Sequence, residues 1–203
     1  MKLDKPALVG HDWGARAVAN AAGLAPGLAS QMAMVSVGYG TNDPTQPMPF
    51  EQARCYWYHW FMATPLGEKT VRADPLGFAR TMWETWSPPG WYDENEFAAT
   101  ARAFENPDWM DVTLHSYRHR WGHAAGDPHY AADIAALKPL PVLSTATLVI
   151  HGGADSVNPV TSSAGKEQWF SNRYHRVVLD GVGHFPQREA ASRVAQELLD
   201  FFG

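Results

Sequence analysis

Four short apolar runs along the chain have the length and composition of buried β-strands. They lie at residues 6–9, 32–37, 146–150 and 176–179. Turn or loop residues follow each run, and an alanine-rich segment at residues 15–24 has the composition of a helix. Apolar strands alternating with helical sequence are typical of parallel sheets. The pattern therefore predicts an α/β fold, a mostly parallel sheet flanked by helices.

The second and third runs are separated by a long segment of different character. It spans residues 38–143 and contains most of the nine tryptophans of the chain. Large aromatic side chains dominate the burial of small domains, so most of these tryptophans are expected to form the core of this insert. The sequence thus predicts two parts, a core made of residues 1–37 and 144–203 and an insert at residues 38–143.

The sequence Gly10-His11-Asp12-Trp13-Gly14 joins the first strand to the first helix. A nucleophile held on such a sharp turn needs small neighbours, and Gly10 and Gly14 are expected to provide that space. The residue at the centre is an aspartate, whose carboxylate attacks saturated carbon and leaves an alkyl ester on the enzyme. The oriented N–H groups of the helix N-terminus favour the anionic form. Asp12 is therefore the candidate nucleophile, suited to opening epoxides or cleaving carbon–halogen bonds.

Two further titratable residues follow the later strands. Asp155 lies after the strand at residues 146–150, and His184 lies after the strand at residues 176–179. The carboxyl ends of parallel strands meet at one edge of a sheet, so these loops should gather around Asp12. Asp155 can then orient His184, and His184 can remove a proton from water. The order nucleophile, acid, histidine indicates a catalytic triad.

These features together resemble the α/β-hydrolase superfamily, and within it the branch of epoxide hydrolases and haloalkane dehalogenases that uses an aspartate nucleophile. The resemblance covers nearly the whole chain. It implies that the insert is a mostly helical cap over the active site. It also implies hydrolysis without a cofactor other than water, acting on a small epoxide or halogenated substrate.

The epoxide hydrolases of this family use two cap tyrosines to bind and protonate the epoxide oxygen. Tyr58, in an aromatic segment, and Tyr117, which is followed by arginine, resemble these two tyrosines. Three other tyrosines are fallback positions, namely Tyr39, Tyr56 and Tyr130. A buried tyrosine taken alone more often serves packing, so the assignment depends on the resemblance. It implies Tyr58 and Tyr117 as the residues that activate the ring oxygen.

Two residues beside the nucleophile keep dehalogenation open as an alternative. In the dehalogenase branch a tryptophan at the position of Trp13 binds the departing halide, although many epoxide hydrolases share it. Arg16 resembles one of the arginines that hold the substrate carboxylate in haloacid dehalogenases, but a solvated or salt-bridged helix residue is the favoured interpretation. The Trp13 N–H is also the oxyanion donor that the sequence offers.

The chain lacks the N-terminal elements that this family normally places before the nucleophile, including a loop that donates an oxyanion-hole N–H. Only five residues precede the first strand. Loss of an oxyanion donor costs about 100- to 1000-fold in rate, so an inactive fragment or a non-catalytic binding protein is the alternative of another class. The first strand is expected to have an unpaired side. A homo-oligomer that covers this edge is the expected assembly.

Composition excludes several classes of partner. The chain has 203 residues, 18% of them charged, and a net charge of −5, so no basic surface for nucleic acid or anionic lipid is expected. No apolar run reaches the roughly 18 residues of a membrane span, and no signal peptide is recognisable. We therefore expect a cytoplasmic protein. Cys55 is the sole cysteine and is predicted to be a packing residue.

Three histidines recur at a helical spacing, His115, His119 and His123. They could share one face of a helix, but no glutamate completes a zinc motif around them. The sequence therefore predicts no metal site and no bound cofactor.

Overall fold

The computed structural model describes residues 3–203, which form two compact units. The first unit contains the chain up to Thr41 together with His129–Gly203, and the second is Asn42–Pro128. The described strands are β1 (Leu8–His11), β2 (Gln31–Val35), β3 (Ala146–Gly152) and β4 (Tyr174–Leu179). The described α-helices are α1 (Trp13–Leu24), α2 (Phe50–Cys55), α3 (Trp57–Ala63), α4 (Pro65–Ala73), α5 (Pro75–Trp86), α6 (Glu94–Ala101), α7 (Trp109–Arg120), α8 (Ala131–Ala136), α9 (Pro186–Glu189) and α10 (Ala191–Phe202).

The first unit is built on a parallel sheet with the strand order β1-β2-β3-β4. β3 is central and almost entirely buried, which explains its continuous apolar sequence. β1 lies at the edge, and Val9 on it is 51% exposed. The predicted parallel α/β fold is confirmed. The homo-oligomer expected to cover β1 stays a prediction.

Side chains of β2 alternate between the two faces of the sheet, and each face has its own core. Met32 and Met34 pack in the cluster of α1, which presents three buried alanines. Ala33 and Val35 belong to the other cluster, with the buried face of α10. This alternation follows from the two-residue repeat of a strand. Burial on both sides fixes the register of β2 and hence the position of the loop that follows it.

The second unit is helical and has a core of its own. Two helices begin with proline and are capped by the residue before it: Thr64 Oγ1 accepts from the Gly67 N–H at 3.0 Å, and Asp74 Oδ1 from the Gly77 N–H at 2.8 Å. The core packs side chains from α3, α4, α5 and α7, namely Tyr58, Met62, Val71, Met82, Met110 and Leu114. This unit lies within the insert expected at residues 38–143. Its role as a cap stays a prediction.

The strand boundaries differ from expectation where the backbone turns sharply. β1 continues to His11, two residues beyond the apolar run, because the turn begins only at Asp12. β2 ends at Val35, since Ser36 has a φ of 63° and leaves the extended conformation. No helix within residues 3–203 is long and apolar enough to cross a membrane.

The turn between β1 and α1 depends on Gly10. A Cβ at Gly10 would overlap the carbonyl oxygen of Gly14, so the strand and the helix approach too closely there for any side chain. The expectation that Gly14 also needs to be small was wrong. A Cβ at Gly14 would meet no other atom within 4 Å in the described chain, beyond its neighbours and its own helix. Only the strand side of the turn is crowded.

This asymmetry predicts different effects for two alanine substitutions. Gly10→Ala should lower the free energy of unfolding by about 2–3 kcal/mol, because backbone must move to relieve the overlap. Gly14→Ala should be neutral or raise it by up to about 1 kcal/mol, because alanine favours the helix. Urea denaturation of both variants measures the difference, and equal stabilities would contradict the close approach at Gly10.

Candidate active site

Asp12 occupies a strained turn that directs its side chain out of the sheet edge. Its φ is 48° and its ψ is −110°, a region that costs a non-glycine residue about 1–3 kcal/mol. The Asp12 N–H donates to the Val35 carbonyl at 3.0 Å, which continues the ladder to β2, and the Asp12 carbonyl accepts from the Arg16 N–H at 3.2 Å. The strand and the helix therefore hold this residue from both sides.

The three predicted residues of the triad lie together. His184 Nδ1 is 2.9 Å from Asp155 Oδ2, and His184 Nε2 is 3.8 Å from Asp12 Oδ1. Because the carboxylate only accepts, Nδ1 carries the hydrogen and Nε2 presents its lone pair toward Asp12. The side chains of Asp155 and His184 are 0% and 1% exposed, whereas that of Asp12 is 27% exposed. Asp155 and His184 are thus shielded from solvent, whereas the carboxylate of Asp12 is accessible to it.

Burial and charge act against each other on this pair. Burial alone would raise the pKa of Asp155, but His184 and His151 outweigh it and hold the pKa well below its usual range. Burial alone would lower the pKa of His184, but Asp155 and then Asp12 raise it above 6.5. Since histidine is a base only when neutral, a step that needs His184 as a base should accelerate as the pH rises through this raised pKa.

Asp155 is surrounded by donors on both oxygens. Its Oδ1 accepts from the N–H groups of Val157 and Asn158, at 2.8 and 2.9 Å. Its Oδ2 accepts from His184 and also lies 3.5 Å from Nε2 of His151, a residue at the end of β3. These contacts fix the carboxylate as an anion with a single orientation.

The main chain of His184 is held by two residues of neighbouring strand ends. His11 Nε2 donates to the His184 carbonyl at 2.7 Å, and Ser36 Oγ donates to the same oxygen at 3.0 Å. Burial, followed by repulsion from His184, lowers the pKa of His11. His11 is therefore kept neutral beside the catalytic pair, where a second positive charge would oppose protonation of His184.

Glu189 secures the loop that carries His184. One carboxylate oxygen accepts from the Gly183 N–H at 2.6 Å, and the other accepts from the Phe185 N–H at 2.9 Å. These are the amides on either side of His184, so the carboxylate binds the backbone both before and after this residue. Hydrogen bonds to an ionised acceptor are among the stronger ones in proteins. These two bonds therefore hold the backbone at His184 in place.

The predicted tyrosines lie in the second unit and are neighbours there. The rings of Tyr58 and Tyr117 are edge to face with centroids 5.3 Å apart. His59 contacts both, at 4.3 and 4.4 Å between ring centroids, and its Nδ1 accepts from the Trp121 indole at 3.1 Å. The structure thus groups Tyr58 and Tyr117 in one aromatic cluster.

The fallback tyrosines have other surroundings. The Tyr39 hydroxyl donates to the Pro141 carbonyl at 2.8 Å, which gives it a structural partner within the first unit. The Tyr56 hydroxyl accepts from Asn42 at 2.6 Å, and Tyr130 is exposed. The choice of Tyr58 and Tyr117 over these positions stays a prediction.

Trp13 and Arg16 extend from α1 beside the nucleophile. Trp13 is 40% exposed, at the first position of the helix. The Arg16 guanidinium donates to both the carbonyl and the hydroxyl of Thr41, each at 3.2 Å. Arg16 is half-buried, and this contact gives it a neutral structural partner within the first unit.

The histidines of α7 form no complete metal site. His115 and His119 stack with ring centroids 5.8 Å apart. Among residues 3–203, no group of three or more potential metal ligands lies close enough to hold an ion. Cys55 is half-buried at the end of α2.

The geometry of the first unit is suited to a two-step displacement. An accessible carboxylate on a strained turn can attack carbon, and a histidine whose Nε2 lies 3.8 Å from that carboxylate is placed to activate water. A comparison with known proteins identifies the fold that carries this arrangement. The model of the "Alpha/beta hydrolase family" matches residues 2–197. The chain belongs to this family.

The relatives of this α/β hydrolase include epoxide hydrolases. Epoxide hydrolase A of Mycobacterium tuberculosis (strain ATCC 25618 / H37Rv) is 26% identical over 221 residues, which cover 95% of this chain and 67% of the relative. A solved structure from Klebsiella pneumoniae subsp. pneumoniae MGH 78578, named as a candidate epoxide hydrolase, has a TM-score of 0.88 and 32% identity. The match covers 97% of this chain and 66% of that one.

A third relative agrees at the level of the fold. The crystal structure of Epoxide Hydrolase A from Mycobacterium thermoresistibile matches with a TM-score of 0.66 and 22% identity, over 98% of this chain and 69% of that one. The chain spans about two thirds of the length of these relatives. The predicted family and its epoxide hydrolase branch are confirmed.

Several residues of the α/β hydrolase site were not predicted from the sequence. His11 directly precedes Asp12, and His151 lies four residues before Asp155. Each lies at the end of a strand, and a histidine in that position carries no specific sequence signal for a functional role. Ser36 contacts a backbone carbonyl 148 residues away along the chain. Glu189 contacts amides six and four residues before it. A glutamate five residues after a catalytic histidine was the one sequence signal available.

The contact of Glu189 with two backbone amides predicts a loss of local stability on substitution. Glu189→Ala should lower the free energy of unfolding by about 1.5–3 kcal/mol, because two N–H groups lose a charged acceptor. The amides of Gly183 and Phe185 should then exchange faster with deuterium. Glu84→Ala, at an exposed glutamate of α5, is the matched control. Unchanged exchange at both amides would contradict the assignment.

Proposed function

We propose that this α/β hydrolase opens epoxides to vicinal diols through an alkyl ester on Asp12. The observation that carries the proposal is the arrangement of His184, whose Nδ1 donates to buried Asp155 and whose Nε2 faces an accessible Asp12. An aspartate in the nucleophile position suits attack on saturated carbon rather than acyl transfer. The epoxide hydrolases among the relatives support the same substrate class.

In the first step, a carboxylate oxygen of Asp12 forms a bond to one epoxide carbon while the bond from that carbon to the ring oxygen breaks. We assign Tyr58 and Tyr117 to the ring oxygen, which takes a proton from one of their hydroxyls. The Asn42–Pro128 unit would then be the cap implied by the resemblance. The T-shaped pair of rings supports this assignment, because it brings the two hydroxyl-bearing side chains into one cluster.

In the second step, Nε2 of His184 takes a proton from water, and the oxygen of that water attacks the ester carbonyl of Asp12. The acyl–oxygen bond breaks, and the diol leaves with the proton from His184. The second proton of the attacking water remains on the Asp12 carboxyl group, which releases it to solvent, and solvent returns a proton to the tyrosine. One oxygen of the Asp12 carboxylate then comes from water. The Trp13 N–H is the proposed donor to the oxyanion, and Asp155 stabilises the imidazolium that forms.

The ester predicts a specific isotope and mass signature. In a single turnover of a styrene-oxide-type epoxide in oxygen-18 water, the peptide that contains Asp12 should gain the label. His184→Gln should accumulate the ester, because the base is lost while alkylation proceeds, and the same peptide should increase by the mass of the substrate. Peptide mass spectrometry measures both.

Asp12→Asn is the control for this experiment, since its amide should form no adduct. Diol formation without label in Asp12 would refute the covalent route. Halide release from haloalkanes while epoxides stay untouched would replace epoxide opening with dehalogenation. No reaction with either substrate class would leave a binding protein or an inactive fragment as the better explanation.

The tyrosine assignment predicts a defect confined to the first step. Tyr58→Phe and Tyr117→Phe together should slow ester formation by about 100- to 10,000-fold, the typical contribution of general acid catalysis. Hydrolysis of a preformed ester should be little changed. Rapid-quench measurement of the two steps separates them, with Tyr130→Phe as an exposed control. Full epoxide turnover in the double variant would refute the assignment.

A further inference from the structure

Two histidines approach the same oxygen of Asp155, and the proposed reaction uses one of them. Oδ2 accepts from His184 Nδ1 at 2.9 Å and lies 3.5 Å from His151 Nε2. The side chain of His151 is fully buried, at 0% exposure. The position of His151 matters because every charge or dipole near Asp155 influences how strongly Asp155 stabilises the proton on His184.

The surroundings of His151 determine which of its nitrogens carries a hydrogen. Nε2 faces the Asn158 carbonyl at 2.9 Å and the Asp155 carboxylate at 3.5 Å, and both groups only accept. Nε2 therefore carries a hydrogen in the neutral ring and in the charged ring alike. The hydrogen bonds directly to the Asn158 carbonyl, and Oδ2 of Asp155 lies 3.5 Å from the same nitrogen.

A second set of contacts fixes the ring of His151 from the opposite side. Nδ1 lies 2.9 Å from Ser163 Oγ, which accepts from Arg176 Nε at 2.8 Å. Arg176 also donates to the Val160 carbonyl at 2.7 Å. An ordered chain of contacts thus runs from the Arg176 guanidinium through Ser163 and His151 to Asp155.

We propose that His151 is a positioning residue that shares the negative charge of Asp155 with His184 and so limits the basicity of His184. The proposal rests on the function proposed above, in which His184 must be neutral to activate water. Asp155 stabilises the protonated form of His184 in proportion to the charge that it directs at Nδ1. The dipole of the His151 N–H, acting in a buried site, offsets part of that charge.

The other groups around the two histidines act in known directions. Asp12 and Glu189 raise the pKa of His184 along with Asp155, and the ring of His11 lies 5.0 Å from that of His184. Asp155 faces His151 directly, and Arg176 faces it through Ser163. Three carboxylates thus favour protonation of His184, and His151, on the other side of Asp155, acts against it. A base works best with a pKa near the working pH, and this opposition keeps His184 closer to that value.

The test compares His151→Leu, which removes the donor, with His151→Gln, whose amide restores one. The pKa of the His184 ring, measured by nitrogen-15 NMR, should rise by about one pH unit in the leucine variant and by less in the glutamine variant. The pH profile of ester hydrolysis should move upward by the same amount. At neutral pH the hydrolysis rate should fall several-fold while ester formation is little changed.

A merely structural role would give a different result. It would lower the rate equally at all pH values and leave the pKa of His184 where it is. Ser163→Ala tests this, because it loosens the ring of His151 while the Nε2 donor remains, and it should give a smaller pKa change than the leucine variant. His175→Gln, at an exposed histidine of β4, should change nothing.

The unmodified chain provides a measurement that needs no substitution. Because His151 and His184 share Oδ2, the Nε2 resonance of His151 should shift with the same midpoint as the titration of His184. An unmoved resonance, or an unchanged His184 pKa in a folded leucine variant, would overturn the proposal. These NMR readouts need no substrate, so failure of the proposed epoxide activity would be recognised separately by the absence of turnover and adduct.

Discussion

The burial of one carboxylate, that of Asp155, imposes conditions on the rest of the site. A charge removed from water needs donors around it, and the structure places two backbone amides on one oxygen and two imidazoles near the other. Three of these donors come from loops, and the fourth, His151, comes from the end of β3. The loop after β3 wraps around the carboxylate, and the loop after β4 delivers His184 to it. The loops at this edge of the sheet therefore bring Asp155 and His184 together.

The histidine is held through its main chain as much as through its ring. His11 and Ser36, from the ends of β1 and β2, converge on the His184 carbonyl, while Glu189 binds the amides on both sides. The contacts of His11 and Ser36 depend on the parallel arrangement, in which adjacent strand ends face the same way, whereas those of Glu189 are local. The sheet and its loops thus position His184 by its backbone, and its ring contacts Asp155.

The sequence predicted much of this arrangement because its strongest signals are local. Apolar runs located the strands, and the turn at Asp12 together with the order of Asp155 and His184 indicated the triad. Gly10 was interpreted correctly and Gly14 was not, since the motif does not reveal which side of the turn is crowded. The roles of His151 and Ser36 depend on partners brought together only by the fold. No rule of spacing along the chain could reveal those partners.

The small side chains of α1 have a consequence for how the nucleophile is placed. Ala15, Ala19 and Ala22 are almost fully buried against the methionines of β2, so the helix rests as near to the sheet as a methyl group permits. Asp12 is attached directly to the start of that helix. The height of the Asp12 carboxylate above the sheet is therefore set by how closely these side chains pack, although they lie up to several turns further along α1. A larger residue at any of these three alanines would move the start of α1, and Asp12 with it, away from β2.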